Sequence, residues 1–512
     1  MGLIDKIKKD KKIIVEDKPS SILKKPIKKE EDILDVYDVN VDEITFNVII
    51  KKEEGYTYYL IPEIEKINES LSKLSKEHFD LIRMQIGDLG LVTYEQIKHF
   101  INDFSIKYNL KLPYIESLAK FFYLISGRFG LLEIPINDER LEEIMINGYN
   151  YPVYVFHRKH QMCETNIILD RNEVDRIIES IANLVNRPID SRTPMLDAFL
   201  PDGSRVNATT SDICMNGATL TIRKFSKDPL TVIDLINFGT LDIDTAAFLW
   251  QAVEGYFGAK PANTLIVGGT GSGKTTLLNV LSMFSMYNER IITIEDTPEL
   301  QIPHKHVIKL VTRPARPGMP EYEVTMDDLI KNALRMRPDR IFVGEVRGEE
   351  AHSLLVAMNT GHDGCSGTLH ANSADEAILR LTSPPMNVPK IMLTALNFII
   401  NIQRIRRAGK TIRRILGIVE VVKGVGEGQE IAKTTLYEYN GLKDILEKRG
   451  ICLWEEEVCE IAGISRDELL RDREFRKRVL NYLYRNNIRD LESVGKYIMK
   501  YQENPEKLMK MI

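Results

Sequence analysis

The sequence predicts an α/β protein in which a parallel sheet covered by helices follows a separate, mixed N-terminal domain. Three observations carry this expectation. Leu265-Ile266-Val267 reads as a strand and Leu277 to Leu281 as a helix, and between them lies Gly268-Gly269-Thr270-Gly271-Ser272-Gly273-Lys274-Thr275-Thr276. That order of strand, glycine-rich turn and helix is the setting of a phosphate-binding loop. Residues 232–425 keep alternating strand with helix, as parallel sheets require. Finally, 512 residues exceed what one compact core holds, so two or more domains are expected.

Composition narrows the class. Hydrophobic content of 43% and charged content of 28% belong to a globular chain rather than a disordered one. No apolar run reaches the roughly 18–20 residues that cross a bilayer, and the lysine-rich start has no apolar core of a secretory signal behind it. Cys163, Cys214, Cys365, Cys452 and Cys459 are scattered without a C-x-x-C pair, which reads as reduced thiols rather than zinc or redox chemistry. A net charge of -5 leaves no global basic footprint, so nucleic acid is not expected as a partner.

In chain order, residues 1–35 read as a flexible basic tail, with Lys6, Lys8, Lys9, Lys11, Lys12, Lys18, Lys24, Lys25, Lys28 and Lys29 ahead of Glu30-Glu31-Asp32. Such a run is a solvated tail or a tether to anionic lipid, where each lysine near the surface contributes about 1 kcal/mol. Residues 36–225 form the N-domain. It opens on strands over 44–50 and 56–61 around Glu53-Glu54-Gly55, with Pro62 ending the second. Helical periodicity follows over 63–125, and from about 130 strands over 151–156, 165–169 and 218–222 flank a helix from Val174 to Leu184. Ser226-Lys227-Asp228-Pro229-Leu230 marks a hinge, set at 226–231. The second domain runs over 232–435, with a further short strand after Gly428. A helical segment, 436–512, packs on it through residues such as Leu469, Phe475, Leu480 and Leu483.

The chemistry starts at the loop. Its spacing, G-x-x-x-x-G-K-[ST], lets successive amides face an anion, with Lys274 reaching the β/γ-phosphates and the Thr275 hydroxyl holding Mg²⁺. A nucleoside triphosphate is the expected ligand. Downstream, Ile291-Ile292-Thr293-Ile294-Glu295-Asp296-Thr297-Pro298-Glu299 is an apolar strand ending in three carboxylates, the groups that orient or deprotonate an attacking water. Arg340-Ile341-Phe342-Val343-Gly344-Glu345 has the form of a Walker B strand with Glu345 where Asp is usual, suited to ordering Mg²⁺ directly or through water. Gly367-Thr368-Leu369-His370 ends a third strand in a histidine able to hydrogen-bond a γ-phosphate or a nearby carboxylate.

Taken in order, "GGTGSGKTT", "ITIEDTPEL", "LRMRPDRIFVGEVRG" and "GTLHANSA" resemble the Walker A, Asp box, Walker B and His box of the secretion ATPase superfamily. This family powers type II and conjugation-type secretion, type IV pili and the archaellum. The likeness is dense over about 200–425 and reaches back to about 130. "LPDGSRVNA" and "TLTIRKF" resemble the family's N-domain strands, and "YPVYVFHRKH" and "TRPARPGMPEYEVTMDDL" its archaeal branch.

The resemblance implies a RecA-like P-loop ATPase domain behind an α/β N-domain, with helical appendages, whose hinge closes on nucleotide binding. It implies that Glu299 is the general base, supported by Glu295 and Asp296, that Glu345 is the Walker B glutamate and that His370 is the His-box histidine. Arg205 and Arg223 fall where the family's N-domain supplies arginines to the phosphates, often across a subunit boundary; Arg335, Arg337 and Arg347 are lesser candidates. The implied cofactors are ATP and Mg²⁺. The implied assembly is a hexameric ring on the cytoplasmic face of the membrane, acting on a membrane-embedded platform protein. Cys452 and Cys459 do not match the four-cysteine motif of bacterial relatives, so zinc is not expected. A nucleic-acid translocase built on the same engine and a nucleotide-controlled assembly scaffold remain as alternatives.

Overall fold

Alternating apolar residues shape the N-terminal unit. The computed structural model describes residues 32–90, 93–127, 129–225, 229–315, 320–423 and 431–512. It divides into two compact units, Met1–Ser226 and Lys227–Ile512. Most of the expected basic tail and hinge residues 226–228 lie outside the described residues.

The first unit opens with β1 (Ile33–Val41), β2 (Ile44–Glu53) and β3 (Tyr56–Leu60). The tail expected over 1–35 therefore overran the start of a strand, whose buried alternation of Tyr37, Val39 and Val41 begins only after exposed Ile33, Leu34 and Val36. Glu54 and Gly55 have φ of 49° and 87°, the left-handed pair that a two-residue hairpin turn needs. Pro62 does not merely end β3. It opens α1 (Pro62–Leu71) at a first-turn position whose amide has no intrahelical acceptor.

The helices α2 (Lys76–Asp88), α3 (Tyr94–Lys107), α4 (Ile115–Ser126) and α5 (Glu133–Asn137) fill the helical stretch. After them come β4 (Leu141–Ile146), β5 (Pro152–His157), β6 (Gln161–Ile168), α6 (Arg171–Leu184), β7 (Met195–Phe199), β8 (Arg205–Thr209) and β9 (Thr219–Arg223). Helix α6 starts at a reciprocal cap between Asp170 and Glu173 and buries Val174, Ile177, Ile178 and Ile181, each contributing about 2 kcal/mol. All nine strands join one sheet in the order β1-β2-β3-β6-β5-β4-β9-β8-β7. Among the described residues of this sheet, only β3 and β6 pair in parallel.

The second unit begins with α7 (Val232–Asn237) and α8 (Ile243–Gly258), then β10 (Thr264–Val267), α9 (Lys274–Ser282), β11 (Ile291–Glu295) and β12 (Val307–Val311). It continues with α10 (Met326–Ala333), β13 (Arg340–Val346), α11 (Glu350–Asn359), β14 (Ser366–Leu369) and α12 (Ala374–Thr382). Strands β15 (Phe398–Arg407), β16 (Lys410–Lys423), β17 (Ile431–Asn440) and β18 (Ile445–Lys448) precede helices α13 (Trp454–Ala462), α14 (Arg466–Arg485), α15 (Leu491–Glu503) and α16 (Pro505–Met509). The sheet order is β12-β11-β13-β14-β10-β15-β16-β17-β18. Strands β12 to β15 in that order are parallel, and β16 to β18 extend the sheet antiparallel.

The boundary expected at 435/436 falls inside β17, and the sheet runs on to Lys448. The C-terminal helices share the hydrophobic core of α8 and β10. A buried charge network reinforces that contact. Arg476 on α14 pairs with Glu254 on α8 and with Asp472, beneath the rings of Trp250 and Tyr501 at 5.0 and 4.9 Å. Gln251 donates to Asp472 at 2.6 Å and accepts from Arg473, which also pairs with Glu455 at 2.8 Å.

Candidate nucleotide site

The phosphate loop leaves β10 through residues that tolerate no side chain. A Cβ on Gly268 would lie 2.1 Å from the Ile402 carbonyl oxygen, and Gly273 has a φ of 96° at the mouth of α9. The buried Ser272 hydroxyl has no hydrogen-bond partner among the described residues, and Lys274 Nζ donates to the Gly269 carbonyl at 3.1 Å. Loop amides, a lysine and an unsatisfied hydroxyl around one helix N-terminus fit a polyphosphate. Thr275 and Thr276 open the first turn of α9, both half-buried. Burial lowers the pKa of Lys274, although the neighbouring Glu345 opposes the shift.

Two further strand ends converge there. Lys274 Nζ stands 3.5 Å from both ring nitrogens of His370, just beyond β14. His370 Nε2 lies 2.9 Å from Glu345 Oε1. Burial and the Lys274 charge lower the His370 pKa below its usual range, so the imidazole is neutral at pH 7. Glu345 sits in an irregularity of the β13–β14 pairing between Val343 and Val346, where Thr368 donates to the Gly344 carbonyl at 2.6 Å. Bulges of this kind re-aim a side chain beside a site. Burial pushes the Glu345 carboxyl up, but the Arg347 hydrogen bond at 2.6 Å and the surrounding cations outweigh it and hold the group ionised. Its two oxygens are thus shared between Arg347, on Oε2, and the His370 ring, on Oε1.

The acids after β11 divide into different tasks. Glu295 is buried, and its Oε1 accepts the amides of Glu299 at 2.9 Å and Leu300 at 3.0 Å. Its Cγ packs so close to Gly344 that a Cβ there would lie 3.0 Å away. Burial pushes its pKa up to about 7. Asn279, on the helix after the phosphate loop, accepts the Gln301 amide at 2.7 Å. The turn bearing Glu299 is thus pinned through its backbone amides by side-chain oxygens from β11 and α9. Asp296 is exposed, accepts from Thr312 at 2.9 Å and lies 3.9 Å from Arg347.

The structure therefore brings Lys274, Glu345 and His370 into contact, links Asp296 to Glu345 through Arg347, and fixes the Glu299 turn by Glu295. Arg335 and Arg337 are exposed after α10. Arg205 and Arg223 belong to the other unit, where they stand directly opposite one another across β8 and β9. Arg205 makes a two-pronged pair with Asp197 at 2.9 and 3.2 Å, both side chains about half exposed. Asn279 and the role of Arg347 as a bridge escaped the sequence reading. Asn279 carries no motif signal, and a helical asparagine is usually assigned to solvent.

A strand, a glycine-rich loop, a lysine-led helix and an acid on a nearby parallel strand define a P-loop nucleotide-binding core. A family model described as "Type II/IV secretion system protein" matches residues 130–471, and the chain belongs to this family. An uncharacterized protein of Methanocaldococcus jannaschii is 60% identical across 100% of this chain and 97% of its own length. The type IV secretion system protein VirB11 of Bartonella henselae is 31% identical over 48% of this chain and 77% of its own. Among solved structures, the Legionella pneumophila ATPase DotB is 19% identical, with a TM-score of 0.41 over 74% of this chain and 93% of that one. Among the described residues, no helix is long and apolar enough to cross a membrane.

Proposed function

We propose that this chain is an ATP-hydrolysing motor that works as a ring at the cytoplasmic face of a membrane. There it drives a pilus-like filament, an archaellum or a secretion apparatus through a membrane-embedded platform protein. Membership of the type II/IV secretion family supports the machine class. The observation that carries the chemistry is the meeting of Lys274, Glu345 and His370 at three strand ends beside a pinned Glu299 turn.

In this reading the loop amides and Lys274 hold the β- and γ-phosphates. Thr275 and Glu345 hold Mg²⁺, which spreads the negative charge of the phosphate oxygens. Glu299 takes the proton of the attacking water, and its backbone pins keep that carboxylate from wandering. Neutral His370 offers a hydrogen bond to the γ-phosphate without adding a charge that would compete with Lys274. Arg205 and Arg223 present permanent charge to the phosphates of a neighbouring subunit.

Phosphate release by purified full-length protein tests the reading. Wild-type protein turns over MgATP and Lys274→Ala does not; equal release from the two would remove the site.

A further inference from the structure

The hairpin of β15 and β16 carries Arg404, Arg406, Arg407, Arg413 and Arg414, a density of charge that neither the secretion motifs nor the hydrolytic set explains. These arginines part in two directions. Arg414 makes a two-pronged pair with Asp444 at 2.9 and 3.1 Å, and Arg407 donates to the Gly441 carbonyl at 2.5 Å. Both therefore serve the sheet extension. Arg404 and Arg413, directly opposite each other in the hairpin, turn to the phosphate loop. Arg413 Nε donates to the Gly271 carbonyl at 3.1 Å, and its Cδ lies 3.3 Å from where a Cβ on Gly273 would sit. Arg404 Nη1 lies 3.3 Å from the corresponding point on Gly271. Among the described residues no acid pairs with either arginine, and both are exposed.

The sheet order says which end of a nucleotide these groups would meet. Lys274, His370 and Glu345 mark the hydrolysed end, and they lie on the side of β10 where β14 and β13 stand. Strand β15 flanks β10 on the opposite side and runs parallel to it, Val267 pairing with Asn401. Arg404 is three residues further on, so it too stands beyond the carboxyl ends of the parallel strands, where such sheets bind ligands. A nucleotide whose terminal phosphate faces β13 and β14 has its nucleoside end toward β15.

We infer that Arg404 is a nucleotide-binding residue that engages the nucleoside end of ATP, its base and sugar, with Arg413 propping the loop through the Gly271 carbonyl. A flat guanidinium suits that place, since it can lie against a base and donate to the sugar hydroxyls. Like charges facing each other across a hairpin are unfavourable in the free protein. Bound anion relieves that repulsion. This assignment rests on the nucleotide site proposed above.

The test is equilibrium binding of ADP and of inorganic tripolyphosphate to the full-length chain, each with Mg²⁺. Arg404→Ala is expected to weaken ADP about tenfold or more while tripolyphosphate stays within about threefold, given that charge-assisted hydrogen bonds are the stronger class. Lys274→Ala weakens both. Arg404→Lys recovers part of the ADP affinity if charge alone contributes. Unchanged ADP affinity in Arg404→Ala overturns the assignment, and so does an equal loss for both ligands, which would place Arg404 on the phosphate chain rather than the nucleoside. Failure of the wild-type chain to bind either ligand strikes instead at the nucleotide site itself.

Discussion

Replacing Glu295 by glutamine tests whether the buried acid behind the Glu299 turn is kept close to neutrality. In the fold its carboxyl titrates at about 7, against an ordinary value of 4.5, chiefly because burial disfavours the charged form. Below both values the group is protonated in the folded and unfolded chain and has no effect. Between them the unfolded chain gives up its proton while the fold retains it. Stability then falls by about 1.4 kcal/mol per pH unit, to a total of about 3 kcal/mol above pH 7. Glutamine reproduces the protonated acid, keeping an oxygen to accept the amides of Glu299 and Leu300. Urea unfolding followed by tryptophan fluorescence is a suitable assay, because Trp250 and Trp454 are the two tryptophans and both are buried in the C-terminal unit. The variant is expected to match the wild type near pH 4.5 and to exceed it by about 3 kcal/mol at pH 8. Parallel pH profiles for the two proteins would refute the reasoning.

Three further outcomes follow from the same geometry. Glu299→Gln is expected to bind MgATP as wild type does and lose hydrolysis; unimpaired phosphate release would demote Glu299 from base to bystander. Arg205→Ala or Arg223→Ala should lower turnover by about 10³-fold if either acts as an arginine finger. Mixing such a variant with Lys274→Ala protein should restore part of the activity, and an inactive mixture argues against action across subunits. Arg476→Met leaves Glu254 and Asp472 without their buried cation, a loss of about 3–5 kcal/mol. A melting temperature within a degree or two of wild type would show that the network contributes little.

The residues proposed for hydrolysis were legible because that chemistry asks for particular residues at strand ends, and apolar strands announce themselves. Lys274, Glu345 and His370 were each visible for that reason. The division of labour among the acids was not. Glu295, Asp296 and Glu299 look alike in sequence, whereas burial makes the first a backbone clamp and exposure leaves the second bridged to Arg347. Strands β17 and β18 were missed or cut short because they lie at a sheet margin, where Lys433, Glu438 and Lys448 are exposed and blur the alternation. Strand β1 was lost in the same manner against neighbouring lysines. The paired arginines of β15 and β16 escaped because their meaning depends on cross-strand register, which no local spacing displays.

The hold of α14 on α8 also sets how short a working version of this engine can be made. The recognisable boxes finish near Ser373, yet Glu254, on the helix just upstream of the phosphate loop, relies for its counter-charge on a residue about a hundred positions beyond them. Trimming the chain after its last signature would bare a lone carboxylate and a tryptophan on α8, the helix ahead of the strand that feeds the loop. The smallest piece that keeps the Glu254 charge paired thus extends through α14, however featureless that stretch looks on paper.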